Sequence, residues 1–476
     1  EDTLSLHDAL PIFCRDGSRA FHCGIAYANL LGNESGGIIY AGEGIIASGG
    51  KVLAQGQRFS FRDRVVTTAV VDIVKNRQNQ AEQVSFHPET VDSDNVIHCP
   101  DFVWPEQSYE PDRLEMIPIW EGSKEIRFEE FSRVCALGLW DYLRKSGQQG
   151  YAVSLSGGAD SCSVVTLLRD MVELVASEIG FPGLMAALPQ VPWSSSLKSD
   201  ATVPEIVHYL LDCFYQPAEA SGEKTLKSAR AVAEGVGANF KVVDITEQVA
   251  LLRRSTEGFV GRELSWDNPG DDLTLQNLQA RTRGIQGWSI ANATRRLLIP
   301  PGNMSEIMVG YFTQGGDDSG GINPIGGVRK TFLRKWLNWR EVQGPHGLSP
   351  LPFLSHVNGL APTAELRPTE AGAVAQTDEG ELGPYEVRDL MEDLFLWDRL
   401  TPLEIRERLL FEYRTRFSRE EVTTWIKKFF WLFSINQWKR ERLPVSFHVD
   451  DHNLSPRMWL RWPVLSGNFE EELAQL

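Results

Sequence analysis

Residues 154–161 read Ser-Leu-Ser-Gly-Gly-Ala-Asp-Ser, after the apolar run Tyr151-Ala152-Val153 and before "CSVVTLLRDM". A strand that turns into a helix through paired glycines brings backbone close to a ligand, and a helix N-terminus favours an anion. The stretch therefore points to phosphate binding and to an α/β architecture. Three phosphate loops compete for it. A G-x-x-x-x-G-K-[ST] loop is absent from the chain. The nearest dinucleotide-type string, Gly42-Glu43-Gly44 with Ala47, lies among strand-like residues and reads as hairpin glycines. What remains is S-G-G-x-D-S at 156–161. There Gly157 and Gly158 allow close approach, consecutive N–H groups form an anion nest, Ser156 and Ser161 supply hydroxyls, and Asp160 supplies a carboxylate for Mg²⁺.

The rest of the chain is consistent with that chemistry. Strand runs at 151–156, 209–216, 239–245 and 297–300 alternate with helical spacing at 223–237 (Ser221 as cap) and 273–295. This order predicts a doubly wound parallel sheet. An earlier helix, from Phe128, is expected to stop at Gly147, and the chain beyond about residue 385 reads as helical. Residues 13–85 read as strands separated by Gly and Asn turns, with 65–74 ("VVTTAVVDIV") among them; 86–127 read as a linker. Residues 1–12 blend poorly into the strand-like segment after them and are set aside as foreign sequence or a truncation scar. A formal net charge of −17 argues against a nucleic-acid partner. No apolar run reaches the ~18 residues of a membrane span, and six cysteines without a C-x-x-C pair suit a reducing, cytoplasmic setting.

The S-G-G-x-D-S loop resembles that of the PP-loop ATP pyrophosphatases, Rossmann-like enzymes of the adenine nucleotide alpha hydrolase type. Five further strings, in order, are similar to the NAD synthetase family: 275–283 ("LQNLQARTR"), 302–306 ("GNMSE"), 320–331 ("GGINPIGGVRKT"), 361–366 ("APTAEL") and 438–440 ("WKR"). Residues 27–61 resemble the last strands of a nitrilase-like (α/β/β/α) glutaminase domain, whose Glu-Lys-Cys triad would lie upstream. Cys14 and Cys23 do not sit in the context of its nucleophile.

The resemblance implies ATP-dependent amidation of deamido-NAD through an acyl adenylate, with free ammonia, or ammonia from a complete subunit, as nitrogen source. It implies that Ser154, Leu155, Ser156, Gly157, Gly158, Ala159, Asp160 and Ser161 hold ATP, with Lys330 and Thr363. Asp160, Ser161 and Lys330 are the expected catalytic group, Asp160 and Glu306 the Mg²⁺ ligands, and Asn277, Arg281, Glu306 and Lys439 the deamido-NAD contacts. Pro301 stands where the family usually carries a Thr and is expected only to line the site; Trp438 reads either as an aromatic wall or as core. A homo-oligomer is also implied. The alternatives are a nucleotide-binding pseudoenzyme, suggested by Pro301, or another PP-loop adenylating amidotransferase.

Overall fold

The computed structural model describes residues 6–34, 36–83, 118–194, 197, 201–218, 222–360, 382–449, 453–457, 459–465 and 467–476. The chain divides into two compact units, Glu1–Gly32 with Tyr40–Ser123, and Asn33–Ile39 with Lys124–Leu476.

In the first unit, helix α1 (Leu6–Ala20) packs Leu10 and Cys14 against Ile45 and Ala47. Residues 6–12, which the sequence sets apart from the fold, thus belong to a helix that reaches this core through Leu10 and Cys14. Strands β1 (Gly24–Ala28), β2 (Gly44–Ser48) and β3 (Lys51–Gln55) pair antiparallel in that order, with a bulge between Ile46 and Ala47. The strand expected at 65–74 does not form. Residues 64–72 belong to no ladder, and helix α2 (Ile73–Ala81) starts at the Asp72 cap, whose carboxylate accepts from Lys75 N. The β-branched run does stay extended, with Val65, Thr67, Ala69 and Val71 half-buried and the residues between them exposed. Thr67 and Val71 occupy the room left by glycines: a Cβ on Gly56 would lie 2.2 Å from Thr67 Oγ1, and one on Gly24 3.3 Å from Val71. Packing across a glycine-paved face has replaced the hydrogen-bonded ladder.

In the second unit, α3 (Ile126–Ser146) ends at Gly147, whose φ of 68° is the left-handed cap that only glycine takes at no cost. Four parallel strands follow: β4 (Tyr151–Ser154), β5 (Leu211–Tyr215), β6 (Asn239–Val242) and β7 (Leu297–Ile299), arranged β6-β5-β4-β7. The centre is buried on both faces, with Tyr151, Ala152 and Val153 at 0% exposure, as expected for a parallel sheet covered by helices. Those helices are α4 (Ala159–Ala187), α5 (Val203–Leu210), α6 (Glu223–Val236), α7 (Thr246–Val260) and α8 (Pro269–Thr294). Tyr209 and Leu210, expected in a strand, close α5 instead, which is started by a Thr202–Glu205 capping box. Ser221 lies outside the described residues, and α6 is capped by Gly222. Then come α9 (Met304–Val309) and α10 (Lys330–Val342), and after residue 382 α11 (Tyr385–Leu396), α12 (Pro402–Glu412) and α13 (Arg419–Ile435). The last three enclose an aromatic core in which the Phe395 ring meets Phe430 and Phe433 edge-on at 4.9 and 5.1 Å.

The strand order places the first strand of the sheet, β4, between β5 and the fourth strand, β7. The connections leaving β4 and β7 diverge there, and the crevice outside the carboxyl ends of these strands is where an open α/β sheet binds ligands. No helix among the described residues is long and apolar enough to cross a membrane.

Candidate functional site

The S-G-G-x-D-S loop stands at that crevice. Leu155 N donates to Phe214 O at 2.9 Å, extending the ladder by one residue before the turn. Gly157 has φ 85°, and a Cβ there would lie 2.3 Å from Thr225 O; Ser228 Oγ donates to Gly157 O at 2.9 Å. Both the backbone angle and the contact with α6 therefore require glycine. Gly157→Ala is expected to destabilise the second unit by ~2 kcal/mol or more, read as a lowered denaturation midpoint. An unchanged midpoint would show that the loop tolerates a side chain. Gly158 caps α4 in extended conformation, and the Ser156 and Ser161 hydroxyls lie 3.0 Å apart over the helix N-terminus. Ser154 Oγ donates to Gln216 Oε1 at 2.7 Å, fastening the base of the loop.

Opposite the loop, α9 and α10 deliver the charges. Asn303, fully buried, caps α9 by accepting from Glu306 N at 3.1 Å, while its Nδ2 donates to Asp160 Oδ1 at 3.0 Å. Lys330, the first residue of α10, is 5% exposed; its ammonium donates to Asp160 Oδ2 and lies 3.5 Å from Glu306 Oε1. Burial works against that charge, but the two carboxylates outweigh it and hold the ammonium above the ordinary lysine range. Asp160, Glu306 and Lys330, separated by up to 170 positions, thus meet around one cation. All three line a cavity of about 760 Å³, together with Ser154, residues 156–161 and Pro301. Pro301 offers neither hydroxyl nor N–H there.

The other expected contacts lie elsewhere. Asn277 accepts from Thr313 Oγ1 at 2.7 Å, Arg281 Nε donates to Gln314 O at 3.2 Å, and Lys439 Nζ donates to Gly310 O and Phe312 O, each at 2.7 Å. None of the three is among the cavity-lining residues. They stand behind the 310–318 loop, whose Phe312, Asp317 and Asp318 do line it. Burial pushes the Lys439 ammonium down, against the pull of Asp317 and Asp318. Trp438 is 38% exposed and outside the cavity lining. Thr363 and the 361–366 string lie outside the described residues. The cavity also holds Lys224 and Arg334, which sequence reasoning missed. Arg334 sits four residues along α10 from Lys330, a spacing that puts both on one helix face and was available as a signal.

Beside Lys330, α11 contributes a charged row. Arg329 Nη1 donates to Asp393 Oδ2 at 3.0 Å, its Nη2 donates to Asp393 Oδ1, and its Nε lies 3.5 Å from Glu392 Oε2. Thr331 Oγ1 donates to Asp389 Oδ2. Glu392 is 1% exposed; burial, then the charge of Asp389, pushes its carboxyl up to about 8, against Arg329 and Arg388. The folded state therefore holds this proton more tightly than the unfolded chain does. The stability it contributes is full below the ordinary 4.5 and is lost as pH rises through about 8. Glu392→Gln, neutral throughout, is expected to gain stability relative to the parent chain between about pH 5 and about pH 9. Parallel denaturation-midpoint profiles would contradict this.

The donor set suits Mg²⁺. Two carboxylates converge, and no cluster of three or more acidic, His or Cys side chains with metal-binding geometry exists among the described residues. Mg²⁺ takes one or two carboxylates and completes its shell with water and substrate phosphates, without a dedicated protein cage.

The family model described as NAD synthase matches residues 131–431. The glutamine-dependent NAD(+) synthetase of Oryza sativa subsp. indica is 30% identical over 472 residues, covering 94% of this chain and 63% of its own length. That of Arabidopsis thaliana is 28% identical over 475 residues, covering 94% and 64%. Among solved structures, a glutamine-dependent NAD(+) synthetase from Cytophaga hutchinsonii aligns with a TM-score of 0.74 at 33% identity, over 97% of this chain and 67% of its own. The chain thus spans less than two thirds of the two plant relatives' length.

Proposed function

The chain belongs to the NAD synthase family, and on that premise we propose that it amidates deamido-NAD to NAD⁺, converting ATP to AMP and pyrophosphate. The observation that carries this reading is the meeting of Asp160, Glu306 and Lys330 beside the glycine loop at the carboxyl end of the sheet. A carboxylate is a poor electrophile, so it must first acquire a leaving group. A nicotinate oxygen attacks the α-phosphorus of ATP and expels pyrophosphate, leaving an acyl adenylate. Ammonia nitrogen then attacks the carbonyl carbon, AMP departs, and the nitrogen loses a proton. Neither step needs a side-chain nucleophile; positioning and charge neutralisation provide the acceleration.

In this reading the N–H groups of 157–161 and the hydroxyls of Ser156 and Ser161 grip the β- and γ-phosphates, and Lys330 neutralises the charge gathering on the departing diphosphate. Asp160 and Glu306 would hold Mg²⁺, which when bound neutralises phosphate charge. Asn277, Arg281 and Lys439 remain the proposed deamido-NAD contacts, with Asn277 Oδ1, Arg281 Nε and Lys439 Nζ engaged by the loop that forms the cavity wall. Self-association has support in α7, which buries no residue and exposes Leu251, Leu252, Phe259 and Val260.

The first unit is read as part of a nitrilase-like glutaminase, and the nitrogen source as free ammonia or ammonia from a complete subunit. Cys14 is unsuited to be its nucleophile: it is 1% exposed, and burial, then Glu43, raises its thiol, the opposite of what a thiolate nucleophile requires. With Mg²⁺, ATP and deamido-NAD, ammonium is expected to yield NAD⁺ and glutamine as sole nitrogen source to yield none. NAD⁺ from glutamine would overturn the nitrogen assignment; no NAD⁺ from ammonium would overturn the function.

A further inference from the structure

We propose that Asp389 and Asp393 of α11 are positioning residues that aim the Lys330 ammonium into the cavity by clamping the two residues that flank it. A lysine side chain has four rotatable bonds and does not hold a direction unless its backbone and partners set one. Lys330 opens α10, where the chain enters the helix from Arg329, whose ψ of 147° is still extended. The first turn of a helix is where backbone order is weakest, because its N–H groups have no partners within the helix.

Here that turn is held on both sides. Arg329 grips the Asp393 carboxylate with both terminal nitrogens, a planar fork that fixes orientation as well as distance. Thr331 donates to Asp389. Asp389 and Asp393 are one turn apart on α11, so positions 329 and 331 are tied to the same face of one helix. A single tie would leave the intervening residue free to turn about it. Two ties fix the peptide units around Lys330 and with them the direction of its Cα–Cβ bond, which leads to Asp160. The carboxylates also lie at the favourable, N-terminal end of the α10 dipole. Neither Asp389 nor Asp393 lines the cavity, so each would act only through Lys330.

This inference deepens the phosphate-side role proposed for Lys330 and rests on it for its catalytic consequence. The clamp itself is read without turnover, from the rate at which N-hydroxysuccinimidyl acetate acetylates Lys330, measured by mass spectrometry. Exposed Lys335 on the same helix serves as the internal reference. In the D389N/D393N double variant, Lys330 labelling relative to Lys335 is expected to rise tenfold or more. Its kcat is expected to fall tenfold or more with KM for ATP within threefold, and D393E is expected to restore part of the loss. Thr331→Val, which removes one tie without touching α11, gives a smaller change in the same direction and serves if the double variant does not fold. Unchanged Lys330 labelling in a folded variant, or an unchanged kcat, overturns the clamp. If the parent chain itself turns nothing over, the functional reading falls, and the labelling still decides whether the clamp exists.

Discussion

Lys330→Ala is expected to lower turnover by ~10²–10³, the scale of losing one preorganised charge donor at a developing anion. In the folded chain this ammonium lies between Asp160 and Glu306 and offsets the charge of both. Its removal leaves two like charges facing an incoming polyphosphate, so nucleotide affinity falls along with kcat. The Asp160 and Glu306 side chains keep 16% and 22% of their exposure, so water relieves part of their repulsion and the loss of fold stability is smaller than the loss of rate. Pyrophosphate release at saturating ATP measures the effect. A variant within threefold of the parent would remove Lys330 from the chemistry.

Arg340→Met is expected to cost ~3–5 kcal/mol of stability, the usual result of removing one partner from a buried ion pair. Arg340 and Asp170 are both 0% exposed; the guanidinium donates to Asp170 Oδ1 at 2.9 Å, to Glu173 Oε2 at 3.2 Å and to Ser349 O at 2.5 Å. The spacing of the two pairs has a geometric meaning. Asp160 pairs with Lys330, and Asp170, ten residues along α4, pairs with Arg340, ten residues along α10. Two helices whose partners advance in step run side by side in the same direction for about 15 Å. The buried pair thus sets the alignment of the helices whose first turns carry the site. Chemical denaturation measures the cost. A loss below about 1 kcal/mol would show that apolar packing alone aligns α4 with α10.

Local grammar made part of this molecule legible. Paired glycines after an apolar run, the Gly147 stop and the alternation of strands and helices each rest on interactions within a few residues. The β-branched run obeyed its local preference for extended backbone over 65–71, but whether an extended run joins a ladder depends on its neighbours, and here they are glycines that invite packing instead. The Thr202–Glu205 capping box is an equally local signal, and it marks the start of the helix that takes Tyr209 and Leu210 out of the strand. The meeting of Asp160 with Lys330 spans 170 positions and could be anticipated only through resemblance. Asn277, Arg281 and Lys439 show a different limit. Their donors and acceptors suit a substrate as well as loop carbonyls and hydroxyls, and in the folded chain residues 310–318 engage Asn277 Oδ1, Arg281 Nε and Lys439 Nζ.

The central claim is that the glycine loop holds the outer two phosphates so that attack falls on the innermost. Phosphorus NMR of the chain turning over ATP with Mg²⁺, deamido-NAD and ammonium tests it most directly. AMP and pyrophosphate in equal amounts are the predicted products; ADP and inorganic phosphate, the mark of attack on the terminal phosphorus, would contradict it.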